Sequence, residues 1–127
     1  MLAVGLIGES ATTVDVAKLA STLGSGGLEV FSTPALIALM ENAARCAVEP
    51  LLPADRSTVG VRVDVRHLAP SPPGEQVRAR AELIEVDGRR LVFQVEAFDS
   101  HEKIGEGTHE RMVVDPARLL ARAQAKR

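Results

Sequence analysis

From Ala35 to Met40 the chain reads Ala-Leu-Ile-Ala-Leu-Met, apolar on every face of a helix. Thr33-Pro34 opens this segment: proline at the first helical position forfeits no hydrogen bond, and Thr33 or Ser32 can cap the free amides. The helix is expected to run to about Val48 and to stop before Pro50 and Pro53. A surface helix keeps a polar face. This one does not, so the rest of the chain must supply something to enclose it.

The flanking segments supply strands. Leu2 to Val16 is rich in small and β-branched apolar residues and contains Gly5 and Gly8, which favours an opening strand over a helix. Asp15 to Ser21 could form a short helix, and three glycines between Gly24 and Gly27 predict a flexible surface loop. From Ser57 the period changes to two. Val59, Val61, Val63 and Val65 alternate with Gly60, Arg62, Asp64 and Arg66, a pattern read as one buried and one solvated face. Ser71-Pro72-Pro73-Gly74 turns the chain into a second alternation, Val77, Ala79, Ala81 and Leu83. Asp87-Gly88 is a hairpin signal, and it leads to Leu91, Phe93, Val95 and Ala97. Asp99 to Lys103 is a turn, Ile104 to Val114 a last strand, and Asp115-Pro116 caps a final helix with a charged tail. The order is strand, long helix, then four consecutive strands joined by hairpins. An α+β hot-dog fold, an antiparallel sheet wrapped around a long central helix, fits this order. No internal repeat is visible.

The 127 residues suit one domain, 1–127, without a separate cofactor domain. Three aromatics, all Phe, leave little for stacking on nucleic-acid bases, and a net charge of −2 creates no field for bulk polyanions. Basic residues cluster only in the mixed run Arg118 to Arg127. A lone Cys46 and an N-terminus without a leader pattern make the cytoplasm the expected location. No apolar run approaches the roughly 20 residues that span a bilayer. No CxxC pair, HExxH, Walker loop or dinucleotide fingerprint occurs, so neither a metal nor a cofactor is expected.

Glu41 follows seven uncharged residues in the helix that must be enclosed. A buried lone carboxylate costs several kcal/mol, so it must be paired, hydrogen-bonded or neutral; the simplest partner is Arg45, one turn on. His67 continues the odd-numbered series of valines, which aims its imidazole toward the helix. Structural histidines near strand ends are commoner than catalytic ones, yet this group carries protons near neutral pH. Thr33 offers a hydroxyl beside free helix amides that could hold an oxyanion, a role compatible with capping. His109 and Arg111 share a face of the last strand; a bulged edge with solvated charges explains them equally well. His101-Glu102 reads as surface.

Val30 to Glu41, Val59-Gly60-Val61 to His67, the Asp87-Gly88-Arg89-Arg90 hairpin and Gly105 to Arg111 together resemble the fluoroacetyl-CoA thioesterase family. The likeness runs from about Phe31 to Val114, with a fairly specific spacing of eight residues from Thr to Glu and twenty-six from Glu to His. It implies a hot-dog homodimer that hydrolyses an acyl-CoA at the subunit interface; pairing of two such dimers into a tetramer is left open. The catalytic set implied is Thr33, Glu41 and His67, with Gly60, Phe31 and Arg111 at the substrate. Thr33 would act as nucleophile or orient water, His67 would be base and then acid, and Glu41 would stabilise the imidazolium or itself attack. The family's fluoroacetyl-specific enzyme has phenylalanines lidding its pocket just before the helix, where this chain has Gly24 to Gly27. That departure implies another, larger or less enclosed, acyl group. A non-catalytic hot-dog domain binding an acyl or aromatic ligand is the alternative, and a hydratase on the same fold ranks below it, for want of a helix with a paired Asp and His.

Overall fold

The computed structural model describes residues 2–127. Along the chain run β1 (Ile7–Thr13), a 3-10 turn (Val16–Lys18), α1 (Ala20–Leu23), α2 (Thr33–Val48), β2 (Ser57–His67), β3 (Gln76–Asp87), β4 (Arg90–Phe98), β5 (Lys103–Val114) and α3 (Pro116–Gln124). The strands form one antiparallel sheet in the order β1-β3-β4-β5-β2, packed around α2: the hot-dog fold. Among the described residues, no helix is long and apolar enough to cross a membrane.

The alternations in β3 and β4 hold as read, with Val77, Ala79, Ala81, Leu83, Leu91, Phe93, Val95 and Ala97 all buried against α2. The Gly88 turn sits at φ +59° and joins them as a tight hairpin, Asp87 opposite Arg90. Strand β1 approaches the helix closely because Gly8 has no side chain. A Cβ there would fall on the Ala43 carbonyl oxygen and within 2.9 Å of Ala47 Cα. The small residues Ala43, Ala44 and Ala47 on the facing side of α2 complete this contact.

Three expectations need correction. The second and third strands are not a hairpin. β1 occupies one side of β3 and β4 the other, so β2 crosses to the far edge and pairs only with β5. The crossing is tied down by backbone bonds: Leu68 N–H donates to Ile104 O (2.7 Å), and Ser71 O accepts from Phe31 N–H (2.9 Å).

The long helix is not enclosed all round. Leu36, Leu39, Met40, Ala43, Ala44, Ala47 and Val48 are buried, while Pro34, Ala38 and Asn42 face solvent, because five strands reach around only part of the cylinder.

Nor do the odd valines of β2 share one buried face: Val61 is 55% and Val63 39% exposed. A β-bulge between Gly60 and Arg62 inserts Val61 as an extra residue, which changes the parity of the strand. Thr58 and Gly60 point inward before it, Val65 and His67 after it. On the sheet's outer face, Arg90 bridges Glu85 (2.6 Å) and Glu110 (2.9 Å), and Arg62 joins Glu110 (3.1 Å), so charge pairs cover that surface.

Candidate active site

Ser32, not Thr33, caps α2: its Oγ accepts from Ala35 N–H at 3.2 Å. The Thr33 hydroxyl is thereby free for a different partner, and it lies 2.8 Å from His67 Nδ1, delivered by the end of β2. His67 Nε2 is buried and has no hydrogen-bond partner among the described residues. The buried Phe31 ring meets the imidazole edge-on, with centroids 6.5 Å apart and planes at 81°. Burial pushes the His67 imidazole below its ordinary value, which keeps it neutral at pH 7 and able to accept a proton. Phe31, Thr33 and His67 line one end of an open cleft of about 430 Å³, whose other walls include Gly26, Gly27 and Leu28. The glycine loop is thus a wall of this cleft.

Glu41 lies elsewhere. It is eight residues beyond Thr33 on the same helix, about 12 Å along the axis at 1.5 Å per residue. Its Oε2 is 3.4 Å from Arg111 Nη1 and 3.9 Å from His109 Nε2. The carboxylate rests against Gly60, where any Cβ would collide with it. Arg111 is buried and held by Thr58, whose hydroxyl accepts from Nε (2.9 Å) and whose carbonyl accepts from Nη2 (3.0 Å). Arg111 Nη1 also donates to His109 Nε2 (3.1 Å), which assigns the ring proton to Nδ1, donating to Arg62 O (2.8 Å). Burial above all, aided by the neighbouring guanidinium, holds His109 below the usual histidine range. Its ring stacks on Phe93, 6.4 Å between centroids.

The Glu41–Arg45 pair suggested by spacing does not form; Arg45 turns to Glu49 at 3.0 Å. A half-buried carboxylate gains more from a desolvated guanidinium than from one in water. Arg111 accordingly sits beneath Glu41 and outside the Thr33–His67 cleft. Within one chain, then, Thr33, His67 and Phe31 meet at one end of α2, and Glu41, Gly60 and Arg111 meet two turns away. Thr58 and His109 complete the second cluster. The sequence reading gave Thr58 no role and His109 only an open one, although His109-x-Arg111 on one face of a glycine-containing strand was the available signal.

A hydroxyl hydrogen-bonded to a neutral imidazole at the end of an open cleft suits acyl transfer. Comparisons with known proteins point the same way. The model of the fluoroacetyl-CoA-specific thioesterase family matches residues 14–117. A fluoroacetyl-CoA thioesterase of Streptantibioticus cattleyicolor is 41% identical over 98 residues, 77% of this chain and 70% of that protein. The solved structure of fluoroacetyl-CoA thioesterase FlK with a threonine changed to serine, in complex with acetyl-CoA, superposes with a TM-score of 0.93 at 34% identity, covering 98% of each chain. A hot-dog-like protein from Thermanaerovibrio acidaminovorans gives 0.86 at 29% identity, over 97% of this chain and 91% of that one. By its match over most of its length and its identity to a curated member, this chain belongs to the fluoroacetyl-CoA-specific thioesterase family.

Proposed function

We propose that the protein is an acyl-CoA thioesterase that acts as a homodimer paired through β2, each active site combining Thr33 and His67 of one copy with Glu41 of the other. The observation that carries the reading is the 2.8 Å contact from Thr33 Oγ1 to the half-buried His67 at the cleft wall. β2 is an edge strand with unpaired backbone groups and exposed Val61 and Val63, a surface that two-fold pairing covers. An axis between Val63 and Asp64 sets Gly60 of one strand opposite His67 of the other. Because the Glu41 carboxylate lies on Gly60, this brings it to the partner's imidazole.

In this site His67 Nδ1 takes a proton from Thr33, or from a water that Thr33 holds, as the oxygen bonds to the thioester carbonyl carbon. The Thr33 backbone N–H is the first-turn donor left for the developing oxyanion, because Pro34 has none and the Ala35 and Leu36 amides are taken by Ser32. The C–S bond then breaks and the imidazolium, stabilised by Glu41, returns the proton to the leaving thiolate. On the Thr33 route, a water deprotonated by His67 then attacks the acyl-Thr33 ester, whose C–O bond breaks as His67 returns the proton to Thr33 Oγ1 and the free acid leaves. Arg111 and His109 hold Glu41 in place from below. Opposite Phe31 and His67 the open cleft is walled by Gly26, Gly27 and Leu28, with no second phenylalanine in its lining, so the acyl group is a small or medium one other than fluoroacetyl.

The test is thiol release across a panel of acyl-CoAs by wild type and by Thr33→Ala, Glu41→Gln and His67→Ala. Loss of a general base costs about 10²–10⁴-fold. Ligand binding by wild type with no hydrolysis above background, unchanged in His67→Ala, would establish the non-catalytic alternative instead. A strong preference for fluoroacetyl- over acetyl-CoA would reject the substrate assignment alone.

A further inference from the structure

Arg62, Arg80, Arg90 and Arg111 on the strands each pair with a carboxylate, and Arg45 and Arg56 do so elsewhere. Arg89, Arg118 and Arg122 make no ion pair among the described residues, and all three line one cleft of about 370 Å³ between the β3–β4 turn and α3. Arg89 sits at the hairpin tip beside Arg90, which is fully engaged by Glu85 and Glu110. Arg118 and Arg122 are one turn apart on the same side of α3. Like charges at that spacing destabilise a helix slightly.

The helix dipole favours Arg122 in the last turn of α3, but no carboxylate pairs with either guanidinium among the described residues. None of the α3 residues is buried, so the helix is not retained for core packing. The one acid in the cleft, Asp115, is occupied in capping α3 through Ala117 and Arg118 N–H and lies 3.9 Å from Arg56. Three guanidinium groups converging without partners form a receptor for a multiply charged anion, and arginine forks suit phosphate oxygens.

Position and shape narrow the anion. Val114, in the cleft wall, lies three residues beyond Arg111 on β5, about 10 Å at strand rise, so the cleft lies at the Glu41 end of the sheet. Arg89 also borders an adjoining groove of about 490 Å³ with apolar walls from Leu2, Leu51, Leu52, Pro53 and Val113. Basic cleft and apolar groove side by side fit a phosphorylated nucleoside better than bare phosphate.

We infer that Arg89, Arg118 and Arg122 bind the nucleotide phosphates of the substrate's coenzyme A, with the adenine against the adjoining groove. This rests on the thioesterase reading and gives that reading its carrier: free CoA esters, whose adenosine 3′-phosphate and diphosphate a carrier-protein thioester does not present.

The experiment compares the acetyl or butyryl ester of CoA with the same acyl ester of pantetheine, which lacks the nucleotide. Wild type, Arg89→Gln, Arg118→Gln/Arg122→Gln and the triple variant are assayed. The ratio of kcat/KM for acyl-CoA over acyl-pantetheine should fall roughly tenfold in the triple variant, through KM. Adenosine 3′,5′-bisphosphate should compete with acyl-CoA for wild type and do so much more weakly for the variant.

An unchanged ratio overturns the inference, and so does equal loss on both esters, which signals a structural effect. Carrier-protein thioesters whose hydrolysis falls in the triple variant while the bisphosphate fails to compete would overturn it in favour of protein docking. Should wild type hydrolyse neither ester, the thioesterase reading fails by itself. Calorimetric binding of the bisphosphate to wild type and triple variant then decides the nucleotide site separately: binding that the substitutions weaken supports it, and no binding refutes it.

Discussion

Glu41→Gln and His67→Ala, each expected to be strongly impaired alone, provide the sharpest test of an active site shared between two copies, because their mixture should regain activity. The structure sets the magnitude. Glu41 and Thr33 are eight residues apart on one helix, about 12 Å along its axis, and the Thr33 hydroxyl is bound to His67 at 2.8 Å. A glutamate side chain cannot bridge that span, so an acid that acts on His67 comes from the other chain. In a mixed dimer one site then loses both groups and the other keeps both. With random pairing at equal concentrations half the dimers are mixed, and the preparation recovers about a quarter of wild-type activity from closed two-fold pairs. Chains carrying different affinity tags are co-expressed and purified through both tags, and thiol release from an acyl-CoA is followed. Doubly tagged dimers hold one intact site in two, about half the wild-type rate. Doubly tagged dimers no more active than the single variants would refute the arrangement, because mixed pairs are then present by construction.

Gly8→Ala places a methyl group against the backbone of α2 rather than a movable side chain; overpacking typically costs 1–3 kcal/mol, and this site should cost about 3 kcal/mol or more. Urea denaturation should show a midpoint lower by more than about 1 M, and a shift within error would mean the helix yields freely. Gly60→Ala meets the end of the Glu41 side chain and His109 Cε1 at 3.1 Å, so stability should change little while kcat/KM falls, by up to about a hundredfold for a displaced acid; steady-state kinetics beside a urea curve separates the two. His67 and His109 are both held below the ordinary 6.5 by burial, so the unfolded chain binds protons first as pH falls. Their contribution to stability is intact above about pH 7 and is lost below it; urea midpoints from pH 7.5 to 5.5 should decline, and less steeply in His109→Asn. In kinetics, the carboxylate of Glu41 favours the imidazolium, so the acid limb of kcat/KM should move to lower pH in the residual activity of Glu41→Gln, and an upward move would argue against their contact.

Local chemistry made most of the fold legible. The apolar run after Thr33-Pro34, the alternations of β3 and β4, the Asp87-Gly88 turn and the Asp115-Pro116 cap are each decided within a few residues. The strand order was not, since whether β2 pairs with β3 or with β5 depends on which edges β1 and β4 already occupy. The helix looked enclosed because its composition records every surface it buries, including any supplied by a second copy, whereas one chain covers only the Leu36, Met40 and Ala43 side. Thr33 and His67 meet because parity within the second half of β2 aims the imidazole inward. The environment of Glu41 escaped because its partner Arg111 lies 70 residues away in a strand whose inward face no short-range pattern distinguishes from a solvated one. Arg45, in reach by spacing, was the wrong choice for a reason of dielectric rather than distance.

The added residue at Val61 has a consequence beyond local geometry. Gly60 and His67 stand at positions of opposite parity, and a regular strand would have to show one of them to the helix and the other to water. The irregularity reconciles them, letting a single edge strand offer both the seat of Glu41 and the imidazole of His67 on the same side. Any sequence change that restored perfect pleating here would leave the fold drawn much as it is and send one half of the chemistry out into solvent.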